Sequence, residues 1–133
     1  MIPDEIKTMW AAMTPAEQNA EMAKVMGWRK ISTYHNPHGT IAWDCGAGEE
    51  RYTGDVTPWV HVSLWQPTRD ISAAMEVARK IITKDVALRL DVYADGAIAY
   101  FQREDAEPPY PALADSPEGA ICLAARLAVE TQP

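Results

Sequence analysis

Two histidines, His35 and His38, are separated by Asn36-Pro37, and a cysteine, Cys45, follows downstream. Imidazole and thiolate both bind zinc, but a structural zinc takes four ligands and a catalytic one takes three plus water. No convincing fourth ligand accompanies these three, and Pro37 breaks any helical spacing that would aim both histidines at one ion. The segment reads as a polar loop, with no metal and no cofactor expected. Gly46-Ala47-Gly48 has the outline of a phosphate loop, but Glu49-Glu50 follows and no GK[ST] step appears, so a plain turn is the better reading. His61 with Ser63, or Asp44 beside Cys45, would supply a base and a nucleophile. Neither pair carries the glycine-flanked elbow that exposes a catalytic serine. The expectation is a protein that is not an enzyme.

The more informative set is aromatic. In Trp59-Val60-His61-Val62-Ser63-Leu64-Trp65, strand alternation turns Val60, Val62 and Leu64 one way and Trp59, His61, Ser63 and Trp65 the other. If this strand shares a sheet with the segments around residues 90 and 100, its second face continues through Arg89, Asp91, Tyr93, Ile98, Tyr100 and Gln102. Rings beside a guanidinium can stack planar ligands or anchor a protein partner. Trp43 lies in or beside the same region. The candidate ligand- or partner-binding residues are therefore Trp43, Trp59, His61, Trp65, Arg89 and Tyr100. The competing reading is that the chain's own helices cover this face and its rings belong to the core.

Composition limits the rest. A length of 133 residues with 47% hydrophobic residues suits one domain, 1–133, with a substantial core. Nineteen acidic against twelve basic residues give a charge of −7, and the basic residues are scattered. Duplex nucleic acid is disfavoured as a partner, although two or three local arginines can still hold a small anion. No apolar run approaches the roughly 20 residues needed to span a bilayer. The N-terminus lacks the basic start and apolar core of a signal peptide. Cys45 and Cys122 form no CxxC pattern and read as reduced thiols, which points to the cytoplasm.

Several elements must position these residues. Ile2, Ile6, Met9, Trp10 and Met13 share a helical stripe. Thr14-Pro15-Ala16-Glu17 has the form of a capping box, opening a helix that runs to about Met26 and stops at Gly27. Trp28 to Tyr34 reads as a strand, and Ile41-Ala42-Trp43 as a short one inside a long Gly-rich loop over residues 35–58. Thr68 is placed to cap a helix over 69–83, with Ile71, Ala74, Met75, Ala78, Ile81 and Ile82 facing inward. These should pack on a sheet containing Val60, Val62, Leu88, Leu90 and Phe101. Asp95-Gly96 reads as a two-residue hairpin turn, pairing Val92 with Ala99 and Leu90 with Phe101. Residues 104–113 hold three prolines and read as a loop. Either Asp115 or Ser116 caps a last helix over 117–130, with Ala120, Ile121, Ala124, Leu127 and Ala128 buried.

Together, Met26-Gly27-Trp28 at a helix end, Trp65-x-Pro67 leading into Asp70-Ile71-Ser72-Ala73-Ala74, an aromatic hairpin, and Ala120-Ile121-Cys122-Leu123-Ala124-Ala125 resemble the phage ABA sandwich domain. The resemblance covers about residues 15–130, leaving 1–13 as an added helix. It implies an α+β fold, a small α-β-α sandwich whose mostly antiparallel sheet carries packed helices, and a phage or prophage origin. It implies no catalytic or ligand-binding residue. The functional expectation is a non-catalytic binding protein of the host cytoplasm, a counter-defence factor that grips a host protein or sequesters a nucleotide signal. The alternatives are a small enzyme using the His/Cys loop and a structural or packaging accessory protein. A second copy of the chain is a further candidate partner.

Overall fold

A computed structural model describes residues 2–33, 40–45 and 59–131. Among them are four α-helices and two separate three-stranded antiparallel sheets. His35, His38 and Gly46-Ala47-Gly48 fall outside the described residues, as does most of the 35–58 loop.

Helix α1 (Pro3–Ala12) buries Ile6 and Trp10, one turn apart, while Ile2 and Met9 stay largely exposed. Its buried stripe is thus narrower than the periodicity predicted. Helix α2 (Pro15–Val25) opens on the predicted capping box. The Thr14 hydroxyl accepts from Glu17 N–H at 3.2 Å, and the Glu17 carboxylate accepts from Thr14 N–H at 3.0 Å. At its other end Gly27 adopts φ +81°, with Gly27 N–H donating to Lys24 O and Trp28 N–H to Ala23 O. This is the paired hydrogen bonding of a Schellman stop, which needs the left-handed conformation that glycine adopts without a Cβ penalty.

The first sheet runs β1 (Arg29–Thr33), β2 (Thr40–Asp44), β3 (Trp59–His61), in that order. Alternation predicts one strand from Trp59 to Trp65, but only its first three residues form one. At Val62–Leu64 the chain winds into a single 3-10 turn, and His61 Nδ1 accepts the Ser63 N–H at 3.1 Å to cap it. The alternation is lost there, and Leu64 is 73% exposed instead of buried. Asn19 of α2 fastens the following segment. Its side-chain oxygen accepts from Thr68 N–H at 3.2 Å and from Thr68 Oγ1 at 2.9 Å, and its backbone oxygen accepts from Trp65 Nε1 at 3.0 Å.

Helix α3 (Ile71–Ile81) is capped by Asp70, not by Thr68; the Asp70 carboxylate accepts from Ser72 N–H at 2.9 Å. It buries Ala73, Ala74, Val77 and Ala78, and Ile71 and Ile82 lie at its exposed ends. The helix packs chiefly on α4 (Pro117–Thr131), not on the predicted sheet. Ser116 supplies the α4 cap, accepting from Gly119 N–H at 3.1 Å.

The second sheet runs β4 (Val86–Tyr93), β5 (Gly96–Arg103), β6 (Ala112–Ala114). The third strand lies at the end of the segment predicted as loop. The hairpin pairs Val92 with Ala97 and Leu90 with Ala99, two residues away from the predicted register. The turn residues are Ala94 and Asp95, and neither they nor Gly96 has positive φ. Glycine is needed at position 96 for space: a Cβ there would lie 2.7 Å from Ala114 O of the neighbouring strand. A shift of two keeps every side chain on its face. Leu88 and Leu90 therefore still point with Ala97, Ala99, Phe101 and Ala112 toward α4. Small alanines on both surfaces let helix and sheet approach closely. Helices α1, α2 and α3 all pack on α4 as well, which is why it is buried at consecutive positions from Ala120 to Ala125.

Candidate functional site

Helix α4 covers one face of the second sheet, and among the described residues no helix covers the other. On β4 the outward residues Ala87, Arg89, Asp91 and Tyr93 are exposed; on β5 Ile98, Tyr100 and Gln102 are half-buried. The register sets Arg89 opposite Tyr100, Asp91 opposite Ile98, and Ile98 opposite Leu113 of β6. Tyr93 and Leu113 are 55% and 60% exposed, so apolar area faces solvent on this side.

The loop after β5 shapes one end of this face. Gln102 Nε2 donates to Arg103 O at 3.0 Å and to Ala106 O at 2.9 Å, and Asp105 takes a left-handed φ of 61°. The segment turns back at once, and Pro108 and Pro109 keep the chain extended on its way to β6. Two cavities result. One is a polar groove of about 730 Å³ on the outer face, with Arg89, Asp91, Tyr100, Gln102 and Pro108 among its lining. The other is a mostly apolar chamber of about 450 Å³ between the loop, β5 and the end of α4, lined by Phe101, Tyr110, Leu127 and Ile81, with Arg103 and Glu107 as its charged members. Tyr100 and Ala106 line both cavities. Lys7 of α1 lies over the Tyr110 ring, its Nζ 5.2 Å from the ring centre. A chamber this size lies within the range of about 300–1,000 Å³ typical of ligand pockets.

Of the six residues singled out from the sequence, the structure brings together Arg89 and Tyr100. The other four belong to the first sheet and the turn after it, because residues 59–61 pair with β2 and not with the hairpin. The expected continuous aromatic face therefore does not form. Trp65 is 4% exposed and stacks at a tilt on Trp28 with ring centres 4.5 Å apart. It is a core residue with its indole N–H satisfied. Trp43 is 5% exposed and belongs to the same core cluster. His61 is half-buried, and Trp59 enters the sheet opposite Asp44. The chamber residues Arg103, Tyr110 and Leu127 were not singled out from the sequence. Their only signal was a proline-rich segment holding a tyrosine beside an apolar helix.

The remaining chemistry is sparse. Ser63 Oγ lies 2.6 Å from His61 Nδ1, but the same nitrogen accepts the Ser63 N–H, so the contact belongs to a turn cap. No hydrogen bond to a carboxylate orients His61 among the described residues. Burial, with Glu118 nearby, pushes the Cys122 thiol up to about 12, which keeps it protonated and unreactive. Among the described residues no three His, Cys, Asp or Glu side chains are grouped to hold a metal. No described helix is long and apolar enough to cross a membrane.

Comparison with curated proteins finds no match, and comparison with solved structures finds none. The family description that does match is the Phage ABA sandwich domain, over residues 22–126. That span takes in β1 to β6 and all but the end of α4, and the observed α+β architecture agrees with it. By this match over most of its length, the chain belongs to the phage ABA sandwich domain family.

Proposed function

We propose that this phage or prophage protein is a non-catalytic binder that grips a host protein in the host cytoplasm, as a counter-defence factor. One observation carries the reading: an apolar chamber and a polar groove share Tyr100 and Ala106 in their walls, and no helix among the described residues covers the sheet face that holds the groove. Protein interfaces are organised this way, with an anchoring side chain in a dry pocket and a polar rim around it. An aromatic or long aliphatic side chain of the partner fills the chamber against Phe101, Tyr110 and Leu127. Arg89, Asp91 and Gln102 then meet the partner's polar groups, and Tyr93 and Leu113 add apolar contact. Among the described residues the groove carries one charge of each sign, Arg89 and Asp91, and the chamber likewise holds Arg103 and Glu107. That balance suits a polypeptide better than a nucleotide, whose phosphates Asp91 would repel.

The test is affinity capture from host lysate with wild type and two surface variants, Arg89→Glu and Tyr93→Ala. A host protein retained by wild type and lost with Arg89→Glu, while melting temperature is unchanged, supports the reading. Equal retention by all three removes this face from consideration. If wild type is a dimer in light scattering and Arg89→Glu is a monomer, the occupant is a second copy of the chain and not a host protein.

A further inference from the structure

A separate pocket of about 320 Å³ lies where α2, the first sheet and the 3-10 turn meet. Lys30, Trp43, Asn19, Ser63, Gln66 and Arg69 supply its polar and aromatic lining, and among the described residues no Asp or Glu lines it. Lys30 Nζ lies 5.8 Å from the centre of the Trp43 ring. Neither Lys30 nor Arg69 enters an ion pair among the described residues. Thr68 occupies the side-chain oxygen of Asn19 through two hydrogen bonds, which turns the amide so that its NH₂ remains a donor. Gln66 Nε2 is anchored on Ser63 O at 2.8 Å. The pocket therefore presents two cations, an amide donor and an indole, with no carboxylate among its described lining, in a chain whose net charge is −7.

We propose that this pocket binds a small planar anion of the nucleoside monophosphate class. The phosphoryl group lies between Lys30 and Arg69, where two charge-assisted hydrogen-bonding partners converge. The Lys30 ammonium now lies over the Trp43 ring. Drawing it toward the anion uncovers the indole for the ligand's ring, and one cation–π contact is exchanged for a stacking contact. The volume is at the low end for small-molecule sites, about 300–1,000 Å³, which favours a mononucleotide over anything larger. This inference does not rest on the host-protein reading, since the two sites share no lining residue among the described ones.

The experiment is calorimetric titration of the full chain, in low salt, with adenosine monophosphate, inorganic phosphate and adenosine as separate probes. Tryptophan fluorescence is recorded in parallel. The nucleotide is expected to bind more tightly than either fragment and to change the tryptophan emission. Lys30→Gln and Arg69→Gln, both at exposed side chains, are each expected to weaken it about tenfold while circular dichroism stays unchanged. Arg89→Glu should bind it like wild type. Equal affinity for phosphate and the nucleotide would mean a bare anion site and would overturn the planar-ligand assignment. Absence of binding by any probe would overturn the proposal, and so would binding that both glutamine variants retain.

Discussion

Arg126 of α4 holds Glu21 of α2 with one arm of its guanidinium and reaches Glu130, on its own helix, with the other at 3.2 Å. The first pair has side chains only 15% and 16% exposed, and Lys24 approaches Glu21 from the solvent side at 3.1 Å. An ion pair this shielded contributes through the cost of leaving one partner alone. Arg126→Ala is expected to destabilise the fold by about 1–3 kcal/mol, below the full cost of a completely buried break because some exposure remains. The double replacement Glu21→Leu with Arg126→Leu should recover most of that loss. Urea denaturation of wild type and both variants checks it; a double mutant no more stable than Arg126→Ala would show that the helices depend on the charges themselves.

The hairpin register makes a sharper prediction. Leu90 lies opposite Ala99 and packs on the core, whereas Val92, on the same face, is 60% exposed near the turn. Leu90→Asp should cost several kcal/mol and can unfold the protein, because it places an unpaired charge under α4. Val92→Asp should stay within about 0.5 kcal/mol of wild type. Similar losses at both positions would contradict the register described.

At Gly96 the expectation rests on space. An added Cβ would meet the backbone oxygen of Ala114 at 2.7 Å, and a backbone atom cannot swing aside as a side chain can. Gly96→Ala should lower stability by about 1–3 kcal/mol through displacement of β6. Amide exchange in Ala112–Ala114 would report it directly, with protection lost there before the rest of β5.

Two titrating groups have opposite consequences. Backbone and side-chain hydrogen bonds from Thr14 hold the Glu17 carboxylate below its ordinary value. The stabilisation is present at neutral pH and is lost as pH falls through the carboxylate range. Glu17→Gln, whose amide does not titrate, should flatten that acid limb of a stability–pH curve. Cys122, raised from 9.0 to about 12, favours the folded state until pH climbs past the ordinary thiol value, and that contribution is then lost. Its labelling by a thiol reagent at pH 8 should follow the global unfolding rate. Labelling faster than unfolding would show that α4 opens locally.

What the sequence disclosed was local. The Thr14 box, the Gly27 stop and the side-to-side alternation of Leu88, Leu90, Ala97 and Ala99 follow from short-range sterics and hydrogen bonding, and each stands in the structure. The hairpin register slipped because Asp95-Gly96 satisfies turn preferences at more than one position, and a shift of two leaves the polarity pattern intact. The candidate site was half legible. Arg89 and Tyr100 stand together as strand parity required. Trp43, Trp59, His61 and Trp65 were placed beside them on the premise of a single sheet. Periodicity states which way a side chain points but not which strands are neighbours. The burial of Trp65 depends on Asn19, 46 residues earlier in the chain. The strand at Ala112–Ala114 was hidden for a similar reason: it is three residues long, comes directly after Pro111, and is defined by its partner.

The central position of α4 has a kinetic meaning as well. Helices α1, α2 and α3 and the second sheet each pack on a segment that begins at Pro117, after every one of them in the chain. During synthesis a nascent chain that has not yet extruded this helix carries four partners for a surface that does not exist. The apolar faces of α1, α3 and the hairpin must therefore wait, exposed or transiently covered, until α4 clears the ribosome tunnel. Cooperative collapse then occurs at a single late moment and not element by element. Stalled chains truncated before residue 117 should be sensitive to protease throughout, and chains extended past residue 131 by the length of the tunnel should become resistant abruptly.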